Sequence, residues 1–204
     1  SILASGNCSP GVLELEHYPK LDEPNLEKCR KIFDLIKSHE GFDLILMAAY
    51  YQDKINDPNY KSALENFSQE FKDGGTKLLG VTQVPSMDGM YPYYWKTFFS
   101  RFNIDQSLMP KLSIDPEYKE TRVEFNQFMK QNDLPVLDLY LLFFEKGEFV
   151  YETDEHQVMY RDRNHINYIG ARYLAKKFLS SDEFVEFRKE FEGLIKRKAA
   201  AHTK

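Results

Sequence analysis

Positive charge is in short supply: Lys and Arg total 27 against 32 for Asp and Glu, a formal net charge of -5. Binding along a nucleic acid needs a cationic face toward the phosphates, so this balance argues against nucleic acid as the main partner. The charges are interspersed, with neither a polybasic patch nor an acidic tail. Long apolar runs are missing too. The longest, Leu44 to Tyr51 and Leu139 to Phe144, fall well short of the roughly 20 residues of a membrane-spanning helix and suit buried strands better. No basic-then-apolar leader opens the chain. It starts at Ser1-Ile2-Leu3-Ala4 without a methionine, and reads as a fragment of something longer or a trimmed chain. No Cys/His cluster has zinc spacing, and no Gly-rich phosphate loop occurs. Internal repeats, low-complexity tracts and inter-domain linkers are likewise absent.

Cysteine is scarce, with only Cys8 and Cys29. Two free buried thiols fit the sequence, and so does a disulfide. The bond would close a loop of about 20 residues, stabilise by roughly 3 kcal/mol in the chain-entropy model, and imply an oxidising compartment. The spacing leaves both open.

What the chain does have is core-forming material. Hydrophobic residues make up 42% and aromatics 15% of 204 residues, enough for a single domain with a sizeable interior. We expect one domain over 1–204, with a frayed tail at 197–204.

Strand-like and helix-like segments alternate, which predicts an α/β fold around a mostly parallel sheet. Helical spacing of Leu26, Cys29, Ile32, Phe33 and Ile36 predicts a helix over 25–38, capped at Gly41. Residues 42–49 read as a central strand, apolar on both faces. A helix over 59–72 follows, broken by Gly74-Gly75, then a strand over 76–84 ended by Pro85. The stretch 86–112 has no clean period and predicts a functional loop with short helices, or a lid. A helix over 116–131, a strand over 134–139, a polar excursion over 143–160 and helices over 168–179 and 182–198 complete the pattern. Ser181-Asp182-Glu183 suits the start of the last helix.

Ligands of such folds bind beyond the carboxyl ends of the strands. That rule predicts three segments on one rim: Tyr50, Tyr51 and Gln52; Pro85 to Asp88; and the loop holding Asp162 and His165. The last pair carries the chemistry. A carboxylate three residues before an imidazole can fix its tautomer and stabilise the imidazolium when the ring takes a proton from a hydroxyl. The same spacing also suits a surface Asp and His capping the next helix. That helix carries Gly170 and Ala171 on its first turn, small enough for close approach to a sheet. His17, His39 and His156 sit among charged neighbours, and His202 lies in the tail. Trp95 with Tyr91, Tyr93, Tyr94, Phe98 and Phe99 reads as core packing, or as a platform for the apolar face of a sugar.

The segment Tyr160-Arg161-Asp162-Arg163-Asn164-His165-Ile166-Asn167-Tyr168-Ile169-Gly170-Ala171 resembles the last block of SGNH hydrolases, whose Asp-x-x-His serves a serine from the first block. It is most similar to the SGNH domains fused to membrane acyltransferase-3 proteins, where the block usually reads Asp-x-x-His-Leu-Ser-x-x-Gly-Ala. Asn7-Cys8-Ser9-Pro10 with Cys29, the run Leu44 to Tyr51, and Gln83-Val84-Pro85 match other pieces of that pattern. The resemblance covers most of Asn7 to Leu179. It implies a three-layer α/β sandwich and O-acyl transfer, usually acetyl, to a bacterial cell-surface glycan. Asp162 would orient the base and acid His165, and Cys8 and Cys29 would be paired. The domain would sit in the periplasm or on the outer side of the inner membrane. It would hold no cofactor of its own, and an acyl donor such as acetyl-CoA would act at a covalently linked membrane domain upstream.

The sequence departs from that pattern in its first block. No Gly-Asp-Ser occurs, so the expected nucleophile lies upstream of residue 1; Ser5, Ser9 and Ser86 are substitutes in poorer contexts. A domain that only binds glycan for a membrane partner is the alternative. The usual block III asparagine is missing, and Gln52 is the nearest candidate oxyanion donor, with Tyr50 and Tyr51 as candidate substrate contacts. Gly6 or Gly11 could supply a backbone amide to the oxyanion. A sheet lacking its first strand would expose an edge, so a dimer formed by strand addition is a further expectation.

Overall fold

A computed structural model of the chain describes residues 23–38, 42, 44–49, 51–52, 54–73, 76–89, 92–105, 108, 112–189 and 192. In chain order the elements are α1 (Glu23–Ser38), β1 (Leu44–Ala48), α2 (Pro58–Asp73), β2 (Lys77–Val81), β3 (Met87–Asp88), α3 (Pro92–Arg101), β4 (Ser113–Ile114), α4 (Pro116–Gln131), β5 (Val136–Leu137), a 3-10 turn (Tyr140–Phe143), β6 (Phe144–Glu145), β7 (Glu148–Phe149) and α5 (Tyr168–Leu179). The fold is mixed α/β with a parallel sheet, the class expected from the alternating pattern. Two compact units make it up: residues 1–83 with 120–137, and residues 84–119 with 138–204. Among the described residues no helix is long and apolar enough to cross a membrane.

The first unit holds the parallel sheet, in the order β1-β2-β5. Leu44 pairs with Lys77, Ala48 with Val81, and Gly80 with Val136. Its core joins Cys29 and Phe33 of α1, Tyr60, Leu64, Phe67 and Phe71 of α2, and Phe125, Phe128 and Met129 of α4. Each set repeats at three or four residues, the spacing that lines one helix face. Pro58 opens α2 where its missing N–H is harmless, and the Asp57 carboxylate accepts the Asn59 amide at 2.8 Å. A Cβ on Gly80 would stand 2.5 Å from Met129 Cε and 3.0 Å from Phe125 Cζ. Glycine therefore sets how closely α4 packs over β2.

Residues 42–49 read as a central strand apolar on both faces; β1 forms there, and among the three described strands β2 lies between β1 and β5. Met47 is buried while Leu46 is 55% exposed. An unbroken apolar run cannot reveal which of its two faces receives a helix.

The second unit is built on a separate core of Met87, Leu142, Phe143, Met159, Tyr160 and Leu174. Residues 86–112, aperiodic in sequence, contain the antiparallel pair β3–β4 and helix α3. The stretch 143–160, read as a polar excursion, is exposed at 145–148 and 154–157, but Phe143, Met159 and Tyr160 at its ends are buried. Their backbone runs through the hairpin β6–β7, turned by Lys146 and Gly147 at φ of 50° and 83°. Positive φ at both central positions matches the twist of a two-residue hairpin, and glycine takes the second without strain.

Residues 182–189 are helical, and the Ser181 hydroxyl accepts the Phe184 amide at 3.3 Å, the N-terminal cap expected there. Glu192 is helical as well; the rest of the expected continuation to 198, the tail 197–204, and the turns at Gly41 and Gly74-Gly75 lie outside the described residues.

Candidate active site

The loop from Tyr160 to Asn167 doubles back on itself. Tyr160 and Ile166 form an antiparallel bridge, and the Arg161 amide donates to the His165 carbonyl at 2.8 Å. Asp162 closes the tip. Its Oδ1 accepts the amides of Asn164 at 3.1 Å and His165 at 2.9 Å, the Asx-type turn that a short carboxylate favours. The same carboxylate then meets the ring: His165 Nδ1 lies 2.9 Å from Oδ1 and 3.0 Å from Oδ2.

The electrostatics follow from these contacts. Partial burial raises the Asp162 pKa, but the Asn164 amide, the His165 ring and the His165 amide together hold it below its ordinary value. An ionised Asp162 can only accept hydrogen bonds, so Nδ1 donates to it, and in the neutral form of the ring Nε2 then holds the lone pair. The His165 side chain is 67% exposed against 27% for Asp162. The arrangement is a base held from behind and open in front.

The loop is also anchored to the second unit. Arg163 Nε donates to the Met87 carbonyl at 3.1 Å, and the Met87 amide donates to the Arg163 carbonyl at 2.9 Å. Arg163 Nη2 stands 3.6 Å from Asp115 Oδ2. Tyr160, its phenol pushed up by burial, donates to the Pro85 carbonyl at 2.9 Å. The structure thus brings together two of the three segments expected on one rim, Pro85 to Asp88 and the Asp162/His165 loop.

Below the loop, Asn167 caps α5. Its Oδ1 accepts the Gly170 amide at 2.9 Å and its Nδ2 donates to the Val158 carbonyl at 2.8 Å. A Cβ on Gly170 would fall 2.4 Å from the Met159 carbonyl oxygen. Gly170 is small for the reason expected, close approach, although its neighbour is this loop's own backbone. The roles of Asn167, Arg163 and Tyr160 were missed in sequence. For Asn167 there was a signal: an Asn just ahead of a helical pattern is a strong cap.

The third segment belongs to the first unit. Tyr51 is buried, stacked on Phe125 with ring centroids 4.1 Å apart, and its hydroxyl donates to the Met47 carbonyl at 2.8 Å. Expected as a substrate contact, Tyr51 is a core residue, its phenol raised chiefly by burial. An aromatic ring closing a strand looks the same in sequence whether it packs or faces a ligand. Gln52 is also buried, its Oε1 3.5 Å from Gln83 Nε2, while Gln83 Oε1 accepts the Tyr51 amide at 2.7 Å. Ser86 is buried, a poor position for an attacking hydroxyl. His156 is exposed, with Nδ1 3.7 Å from Glu152. Tyr50, Ser5, Gly6, Cys8, Ser9, Gly11, His17, His39 and His202 lie outside the described residues, while Cys29 is fully buried. Among the described residues no three His, Cys, Asp or Glu side chains gather as metal ligands.

Comparisons with known proteins bear on the family and the fold of the chain. The model of the SGNH domain family, described as fused to AT3 domains, matches residues 1–180. Among solved structures, the periplasmic domain of the lipopolysaccharide acetyltransferase of Salmonella ser. Paratyphi A superposes with a TM-score of 0.57 at 13% sequence identity. That match covers 77% of this chain and 64% of the other, so the chain spans somewhat under two thirds of its neighbour's length. At this identity the likeness concerns the fold. No curated protein matches.

Proposed function

Because the chain belongs to the family of SGNH domains fused to AT3 domains, we propose that it serves O-acyl transfer, with acetyl as the acyl group, to a hydroxyl of a bacterial cell-surface glycan. The observation that carries this reading is the contact of His165 Nδ1 with both carboxylate oxygens of Asp162, beside an exposed ring. His165 Nε2 removes the proton of a serine hydroxyl as its oxygen bonds to the acyl carbonyl carbon, and Asp162 stabilises the resulting imidazolium. The imidazolium returns the proton to the leaving group, and an acyl-serine remains. Attack by a glycan hydroxyl, deprotonated by the same nitrogen, forms the new ester and restores the serine.

The serine is assigned to a Gly-Asp-Ser block outside residues 1–204, since no such block occurs in the chain. The donor, such as acetyl-CoA, is assigned to a linked membrane domain. The reading places the chain on the extracytoplasmic side of the membrane, where Cys8 and Cys29 would be oxidised to a disulfide.

The test is esterase activity on 4-nitrophenyl acetate. The 204-residue chain is expected to be inactive, and a version extended to include the serine block active. His165→Ala should then lower the rate by about 100-fold or more, the usual share of a general base. Activity surviving in that variant would contradict the role given to His165, whereas no activity in the extended chain would favour a domain that only binds glycan.

A further inference from the structure

Helix α3 turns a row of aromatic rings outward. Tyr94, Phe98 and Phe102 follow one another at four-residue steps, which puts them on one helix face, and they are 56%, 47% and 60% exposed. Phe98 lies 4.8 Å from Phe102 between ring centroids, and Trp95 meets Phe98 edge-on at 6.4 Å. Core packing accounts for Phe99, which is buried, and leaves the outward rings unexplained. Tyr91 and the Tyr93 side chain are outside the described residues.

These rings line a cleft of about 740 Å³, together with Arg101 and Arg163, a size typical of small-molecule sites. The charges in its wall are both cationic, in a chain whose acids outnumber its bases. Asp115 offsets part of the Arg163 charge at 3.6 Å, so Arg101 is the main anchor. Arg163 itself lies between Asp162 and His165 in the chain, which ties the cleft to the loop of the candidate base. Aromatic faces stack on the C–H faces of a pyranose, while guanidinium groups pair with carboxylate or phosphate oxygens.

We infer that this cleft binds a sugar bearing an anionic group, either a uronate or a sugar phosphate, as the acceptor portion of the glycan. The inference rests on the acyl-transfer reading for the word acceptor; the binding itself does not depend on it. A membrane surface is the competing occupant, and the titration below includes it as an outcome that overturns the proposal.

Trp95 is the only tryptophan in the chain, so its fluorescence reports on the cleft directly. We would titrate the chain with tetragalacturonate, glucose 6-phosphate, neutral maltotetraose and phosphatidylglycerol vesicles. Saturable quenching by either anionic sugar, at least tenfold tighter than by maltotetraose, is expected, and which of the two binds identifies the anion. Phe98→Ala and Arg101→Gln should each weaken it about tenfold with unchanged far-UV circular dichroism, and Arg101→Lys should recover part. Equal response to maltotetraose, response to vesicles alone, or no response to any probe would overturn the proposal. Failure here with the esterase result intact would move the acceptor elsewhere, whereas the reverse would leave a sugar site without the chemistry.

Discussion

Asn167 Oδ1 accepts the Gly170 amide while Asn167 Nδ2 donates to the Val158 carbonyl. One side chain therefore starts α5 and ties it to the strand segment that leads into the Asp162 loop. Replacing Asn167 by Ala removes both bonds and should lower stability by about 1–2 kcal/mol in urea unfolding. Asn167→Ser keeps a capping oxygen and should recover most of that loss. Equal losses in the two variants would mean that the cap carries little.

Gly170 gives a sharper steric test. A methyl group there would press on the Met159 carbonyl, and backbone on both sides leaves little room to yield. Gly170→Ala should destabilise by roughly 1–3 kcal/mol, read as a lowered unfolding midpoint. Ala171→Gly, one position along, should cost only the ordinary helix penalty of about 1 kcal/mol.

How much of this was legible in the sequence varies with the range of the contacts. The Asp162–His165 pair was, because a spacing of three residues in a tight turn fixes the distance locally. The helices α1, α2, α4 and α5 were, because each repeats its apolar residues at helical spacing. Tyr51 was misread because burial is a property of the whole fold, which no local pattern around it reveals. The hairpin at Lys146-Gly147 was hidden by the charged residues around its turn, and the core residues Phe143, Met159 and Tyr160 have no common period. Leu46 shows the same limit in a strand: period two tells the faces apart only when polar residues mark one of them.

Stability should carry the signature of the lowered Asp162 pKa. A carboxylate whose pKa is depressed by folding adds stability above its unfolded value of about 3.9, and loses it as pH falls through the folded value. Asp162→Ala should therefore be less stable than the parent chain at pH 6 to 7, with the gap closing below about pH 3.9. A gap that stays constant across that range would show that the ionised form is not what the loop binds.

The pairing of Cys8 with Cys29 gives a chemical test of the extracytoplasmic reading. Protein recovered from an oxidising compartment should expose no thiol to an alkylating reagent in denaturant until a reductant is added. Reduction should lower stability by about 3 kcal/mol. Two reactive thiols without reductant would remove the disulfide from the account.

The most direct measurement is the tautomer of His165, read from the two ring nitrogens by long-range proton–nitrogen correlation on the 204-residue chain at a pH where the ring is neutral. Held by Asp162, the ring should carry its proton on Nδ1 and show a bare Nε2, and Asp162→Ala should abolish that preference. A proton on Nε2 in the parent chain, or a tautomer indifferent to Asp162, would contradict a base poised to accept from a hydroxyl.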